Sequence, residues 1–407
     1  MSVPSIAQGS KSARRPWLAV IAVGLATFCV VTKEMLPVGL LTTISHSFDT
    51  STGTAGLMIS LPALLAALFA PLVVVASGDM DRRKILFGLL GLLVIANVAC
   101  ALAPNIGSML VARVAIGFCM GGVWAIAGGL ASRLVPSHHV GLATSIIFGG
   151  VASASVLGVP VGALIGDLAG WRWAFGAMAL FSALVLALHI ALVPALPAAA
   201  SISVRHFGQQ LGNRKLQIGL VLTLLLVAGH FAAFTFVRPL LLSVSGFDPQ
   251  WIGGLLFAYG IAGIAGNFLA GTVAARRTVL TLMAITWGLL LTPLLFLMIG
   301  DRTVGAALVL LGWGLAYGGV SVGLMTWMMK AAPHVVEIST ALYVGVFNIG
   351  IALGAWAGGQ VVDGFGPTAS LWVASGFAAL ALLLTSVIAL AQHRTKGALR
   401  MTCSPAK

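Results

Sequence analysis

The chain has 407 residues, of which 59% are hydrophobic and 8% charged, and its mean hydropathy is +1.08. A soluble domain carries about 25% charged residues, so this composition excludes a soluble fold and places the chain in a bilayer. The net charge of +13 does not point to nucleic acid, because the basic residues sit in short segments between apolar runs.

Crossing ~30 Å of hydrocarbon takes about 20 apolar residues in a helix, and twelve runs meet that requirement. In chain order they are 17–41, 55–76, 85–103, 108–131, 141–165 and 173–193, then 216–243, 251–274, 279–299, 304–329, 340–362 and 370–391. The first run exceeds the ~7–15 residues of a signal-peptide core and is read as a retained helix. Between spans six and seven lies a linker, 194–215, and the chain begins and ends in polar tails, 1–16 and 392–407. Cys29, Cys100 and Cys119 fall inside apolar spans and Cys403 in the tail, which gives neither a disulfide framework nor metal-ligand spacing. No cofactor motif is present.

With a cytoplasmic N-terminus, 17 of the 22 basic residues fall on the cytoplasmic side. The positive-inside rule therefore puts both termini there and predicts a multi-pass protein of the inner (plasma) membrane.

The two sets of six spans echo each other. Gly121, Gly122, Val123 and Pro136 recur 197 positions later as Gly318, Gly319, Val320 and Pro333; Gly158, Gly162, Asp167 and Gly170 recur 196 later as Gly354, Gly358, Asp363 and Gly366. Matched spacing at several points indicates an internal repeat. The expected fold is an all-α integral membrane protein of twelve transmembrane helices, in two parallel six-helix halves (17–193 and 216–391) with a substrate cavity between them.

Within the first span, VTKEMLPVGLL holds Glu34, the one acidic residue at membrane depth. A carboxylate there costs at least ~2.5–3.5 kcal/mol, so it faces a cavity or a partner; the two readings are a proton carrier and a carboxylate locked to an arginine. Lys33 lies ~100° around the helix from Glu34; it is expected to snorkel to the periplasmic interface and has no assigned role. In the seventh span His230 offers a hydrogen bond or a titrating ring, and Arg238-Pro239 offers a charge at a helix break, either for substrate or Glu34 or as a headgroup anchor. Trp124, Phe231, Phe234, Trp327 and Tyr343 could stack on a planar ring, and Asn267, Asn348 and Gln360 could read polar edges; packing and helix pairing are the alternatives. Trp124, His230, Phe234, Arg238, Trp327 and Asn348 are the residues assigned to substrate.

Several stretches carry a resemblance: KEMLPVGLL, GGVWAIAGGLASRLVP, AGHFAAFTFVRP and WGLAYGGVSVG. Together with the twelve spans they resemble the major facilitator superfamily in its drug/proton antiporter branch, and within it the purine ribonucleoside efflux transporters, with arabinose-type sugar efflux proteins as near relatives. The resemblance implies that Arg113, followed four residues later by Gly117, takes part in proton coupling with Glu34 by biasing a carboxylate, since an arginine does not itself lose a proton. It implies that Asp81, Arg82 and Arg83 latch the cytoplasmic ends of neighbouring helices, although the glycine usual between the first arginine and the later basic pair is absent. Pro160, between Gly158 and Gly162, resembles the antiporter signature of the fifth span, where a proline bends the helix and lets the interface rock.

The function expected is proton-coupled efflux of a small polar solute, first of all purine ribonucleosides, by a monomer whose partners are substrate, protons and lipid. Sugar or drug efflux and proton symport or facilitated import are the alternatives. A channel lacks its rings of pore-lining charge, and an intramembrane enzyme lacks a nucleophile–base or metal cluster.

Overall fold

A computed structural model describes residues 9–76, 80–196 and 212–402. Gly78 and Asp79 of the second loop, most of the linker, the first residues of the N-terminal tail and Cys403 lie outside the described residues.

The described residues are almost wholly helical. The long helices are α1 (Gly9–Ser47), α2 (Thr52–Ala76), α3 (Arg82–Leu102), α4 (Ile106–Leu134), α5 (Val140–Ser153), α6 (Val159–Ala169), α7 (Trp171–Leu192), α8 (Arg214–Phe234), α9 (Pro249–Ile299), α10 (Thr303–Ala331), α11 (Val336–Phe365) and α12 (Ala369–Thr402). Two departures from one helix per span cancel in the count. α5 and α6 form the fifth span, joined by a π turn over Ala154–Gly158, and α9 holds the eighth and ninth spans, joined at a kink where Arg277 has φ −132° and ψ 57°. Pro160 has no N–H for the carbonyl four residues back, and the widened turn beside it absorbs that loss. α12 continues through Thr402, well into the segment that the sequence suggests as a tail.

Helix ends follow local chemistry. The Asn105 side chain accepts from Ser108 N, and the Ser108 hydroxyl closes a capping box at the start of α4. Asn213 caps α8 through Lys215 N and Leu216 N. α6 and α11 end at Gly170 (φ 93°) and Gly366 (φ 84°), the two ends of one repeat pair, each at a dihedral that only glycine adopts without strain.

The chain divides into two compact units. Of the described residues, unit 1 comprises 9–76, 80–196 and 248–257, and unit 2 comprises 212–247 and 258–402. In unit 1, α1 packs on α5, α6 and α7, α2 on α4, and α3 on α4 and α7; in unit 2, α8 packs on α11 and α12. α1 and α8, the first helix of each half, are the most enclosed, with 78% and 72% of their apolar windows buried, against 33% for α7 and 28% for α12. The outer helices carry exposed apolar side chains such as Leu180, Leu184, Leu383 and Val387, the surface that a helix presents to lipid tails rather than water.

The repeated glycines mark equivalent close approaches. In unit 1 a Cβ at Gly158 or Gly162 would strike Thr32 or Leu36 of α1; in unit 2 a Cβ at Gly354 or Gly358 would strike the backbone of Ala228 or Ala232 of α8. Gly121 likewise lies against Ala66 of α2, and Gly318 against Gly263 of α9. Small residues permit such backbone contact where the hydrophobic effect does not drive helices together.

Candidate functional site

Two side-chain constellations stand out, one inside each unit. In unit 1 the centre is Arg113 of α4, which is completely buried. Its Nε donates to Met58 O at 2.6 Å, Nη1 to Lys33 O at 2.9 Å and Nη2 to Glu34 O at 3.2 Å. Two of these acceptors have a specific origin. Pro37 has no N–H for the carbonyl of Lys33, and Pro62 none for the carbonyl of Met58, each four residues earlier in its helix. Backbone groups at membrane depth must find partners inside the protein, and the guanidinium fork supplies them on α1 and α2 at once.

Glu34 is buried, and its Oε1 has no hydrogen-bond partner. Arg113 therefore commits its donors to main-chain oxygens rather than to that carboxylate oxygen. Thr32 Oγ1, Lys33 Nζ and Ser60 Oγ are also buried and unpartnered. Lys33 corrects the sequence expectation: it does not snorkel to an interface but is fully enclosed. The helical angle separates its face from that of Glu34, yet says nothing of how deep either face lies.

In unit 2, His230 of α8 lies in an aromatic cluster. Its ring is 3.4 Å from that of Tyr317 at an interplanar angle of 10°, and 4.8 Å from Phe234 at 23°. Tyr259 stacks on Phe234 at 4.7 Å, and Trp313 Nε1 donates to His230 Nδ1 at 3.1 Å. That bond makes Nδ1 the acceptor and leaves the ring proton on Nε2. A void of about 10 Å³, lined in part by His230, Trp313 and Pro293, adjoins the cluster and has room for roughly one water.

The remaining candidates are dispersed. Trp124 lies in α4, 6.0 Å from Phe148. Trp327 Nε1 donates to Lys215 O, and its ring covers Gly219, about 16 Å along α8 from His230 at 1.5 Å per residue. Asn348 Nδ2 bonds Val344 O of its own helix. Arg238 is buried in the helical turn Val237–Pro239 rather than reaching outward, and a π turn, Leu240–Val244, follows it. Pro160 is buried at the start of α6. It also lines an open trough of about 760 Å³, where Asp167, Asp248 and Gln250 are the polar groups.

Beyond the helix ends, Asp81 caps α3. Its Oδ1 accepts from Arg83 N and Leu196 N, both at 2.9 Å, while Arg82 N donates to Leu196 O at 2.9 Å and Arg83 Nη2 to Ile190 O at 2.9 Å. This loop thus clasps the end of α7 and the residues that leave it. Desolvation pushes the Asp81 carboxyl up, but the N–H donors of Arg83 and Leu196 and the charges of Arg83 and Lys84 outweigh it, and its pKa lies below the ordinary value.

Residues 23–344 match the Major Facilitator Superfamily. The chain belongs to that superfamily. It is 32% identical over 383 residues to the purine ribonucleoside efflux pump NepI of Salmonella paratyphi A, across 94% of this chain and 95% of the relative, with the same values for the pump of Salmonella typhimurium. Among solved structures, a bacterial homologue of the human lysosomal transporter Spinster, inward-facing and occupied, superposes with a TM-score of 0.76 at 15% identity, covering 90% of this chain and 95% of that one. The same homologue, inward-facing and unoccupied, gives 0.71 at 13%, covering 92% and 95%. The protein is a multi-pass membrane transporter of the major facilitator fold.

Tyr259, Trp313 and Tyr317 were not among the sequence candidates. Trp313 and Tyr317 are four apart, as are His230 and Phe234, so each pair shares one helix face; two such pairs in neighbouring helices are the signal that could have found the cluster.

Proposed function

We propose that this transporter exports purine ribonucleosides in exchange for protons, by alternating exposure of its binding site across the inner membrane, with both termini in the cytoplasm. The observation that carries the coupling is Glu34: a buried carboxylate in α1 with an unpartnered oxygen, beside an arginine that donates three hydrogen bonds to backbone carbonyls. A carboxyl group so placed can take up and release a proton without breaking an ion pair. Proton and substrate binding that oppose each other suffice for exchange. A tenfold substrate gradient needs about 1.4 kcal/mol, and one charge crossing 100 mV supplies about 2.3 kcal/mol.

The likeness to the ribonucleoside pumps supports the direction and the substrate. The stacked rings around His230 support a planar base, because flat aromatic faces and a few placed polar groups suit such a ligand. The Asp81 clasp on the end of α7 supports a latch at the start of the linker.

The test is uptake of labelled inosine into inside-out vesicles with an acid interior, comparing wild type with Glu34→Gln. Gradient-driven uptake that the variant loses, and alkalinisation of the lumen on adding inosine, are expected. Equal gradient-driven uptake by both would remove Glu34 as the carrier. Uptake of sugars but not inosine would move the substrate to the sugar class.

A further inference from the structure

Lys33 has no place in that account, although it is among the largest side chains completely buried in the molecule. It projects from a different face of α1 than Glu34. The titratable and charged groups within electrostatic reach of it are Cys29, one turn earlier in α1, Cys100 of α3, and Arg113 and Cys119 of α4. Further polar groups adjoin this face. Cys29 Sγ lies 3.2 Å from Ser182 Oγ of α7, and Asn97 Nδ2 of α3 donates to the same hydroxyl at 2.9 Å. Asn97 Oδ1 and Lys33 Nζ are both buried without partners.

An ammonium group has three donors and no acceptor. Among thiols, which accept weakly, and beside a guanidinium, which repels it, this amine is placed as a free base is placed. A methionine would fill the same volume with no polar atom to desolvate. The carbonyl oxygen of Asn97, one turn from Cys100 in α3, is likewise a buried acceptor without a partner. Lys33 Nζ thus has no acceptor for an ammonium in this arrangement of the helices.

We infer that Lys33 is a second proton-binding site of the transporter, separate from Glu34. The buried, unpartnered amine takes up a proton when α1 shifts enough for water or an acceptor to reach Nζ, and gives it up when the group is enclosed again. Arg113 holds the main-chain carbonyls of both residues, so a movement of α1 at either site is felt at the other. The inference rests on the proposed coupled transport, and two measurements separate the failure of one from that of the other.

The first measurement does not depend on transport. The protein, labelled with 13C at lysine Cε, is titrated by NMR in detergent between about pH 5 and 9, the range in which a displaced lysine would change state. The Lys33 signal is the one of seven missing from Lys33→Met or, should that variant not fold, from Lys33→Arg. A signal that titrates within the range is expected; one that stays at the ammonium position throughout overturns the inference. The second is the ratio of protons to inosine moved in proteoliposomes, expected to drop by one proton in Lys33→Gln while inosine transport persists. An unchanged ratio overturns the role in transport. If wild type moves no inosine, the ribonucleoside reading falls, and the NMR titration alone decides whether Lys33 binds a proton.

Discussion

Arg113 of α4 donates to the carbonyl oxygen of Lys33 at 2.9 Å, and that carbonyl is the one Pro37 leaves without an intrahelical donor. The same guanidinium reaches Met58 O, orphaned in the same way by Pro62. One buried cation thus closes two proline defects in two helices.

Removing the fork while keeping the prolines leaves two buried carbonyls unsatisfied, at about 1–3 kcal/mol each, so Arg113→Met is expected to destabilise by about 2–6 kcal/mol in detergent unfolding. Restoring the N–H groups changes the balance. In a Pro37→Ala/Pro62→Ala background the loss on removing Arg113 is expected to shrink by at least about 1 kcal/mol, a coupling energy that a double-mutant cycle reads directly. Strict additivity would show that the prolines and the arginine are unrelated.

In unit 2 the bond from Trp313 to His230 Nδ1 sets the tautomer of a buried ring. Nitrogen-15 NMR of the histidines is expected to show His230 protonated at Nε2 in wild type and a mixture of tautomers in Trp313→Phe. That variant should lose about 1 kcal/mol with the bond. Tyr317→Ala, which removes the half-buried ring stacked 3.4 Å from the imidazole, should lose at least the contribution of an aromatic pair, about 0.5–1.5 kcal/mol. A single Nε2 tautomer in Trp313→Phe would mean that some other group orients His230.

Much of this organisation is legible in the sequence. The 196- and 197-residue offsets correspond to real equivalences: Gly158 and Gly354 each press on the first helix of their unit, and Gly170 and Gly366 each end a helix at positive φ. The link from Arg113 to Pro37 and Pro62 is also in the sequence, since a proline exposes the carbonyl four residues before it. Helix rotation and depth are not. Trp327 sits in a span with the right composition, but its indole faces the start of α8 rather than His230. Lys33 has a chemistry that argues for the interface, and only the packing of neighbouring helices such as α4 and α7 against α1 shows it enclosed.

Asp81 gives a pH test outside the membrane-spanning segments. Its carboxyl is held below the ordinary value, so its contribution to stability is present above the unfolded pKa of about 3.9 and is lost as the pH falls through the folded pKa. Asp81→Ala removes a helix cap and the bond to Leu196 N, and at neutral pH should cost about 0.5–2 kcal/mol. The gap in melting temperature between wild type and variant is expected to close as the pH is lowered below 3.9. A gap independent of pH would assign the effect to packing instead.

Helix α11 supplies a paired control for the glycine contacts. A Cβ on Gly354 would meet the carbonyl and Cα of Ala228, backbone atoms of α8 that cannot rotate away, whereas a Cβ on Gly345 meets nothing within 4 Å. Gly354→Ala therefore has to push two helices apart and should cost about 1–3 kcal/mol, as overpacking does. Gly345→Ala removes only a helix-weakening residue and should be neutral or stabilise by up to about 1 kcal/mol. The contrast isolates the contact, because residue type, helix and substitution are the same at both positions. If the same α8–α11 contact must slide during transport, Gly354→Ala should also slow inosine exchange by more than its loss of folded protein explains, and Gly345→Ala should not. Equal melting temperatures for the two variants in detergent-solubilised protein would show that α8 and α11 have room to separate, and that the glycine repeat marks no tight contact there.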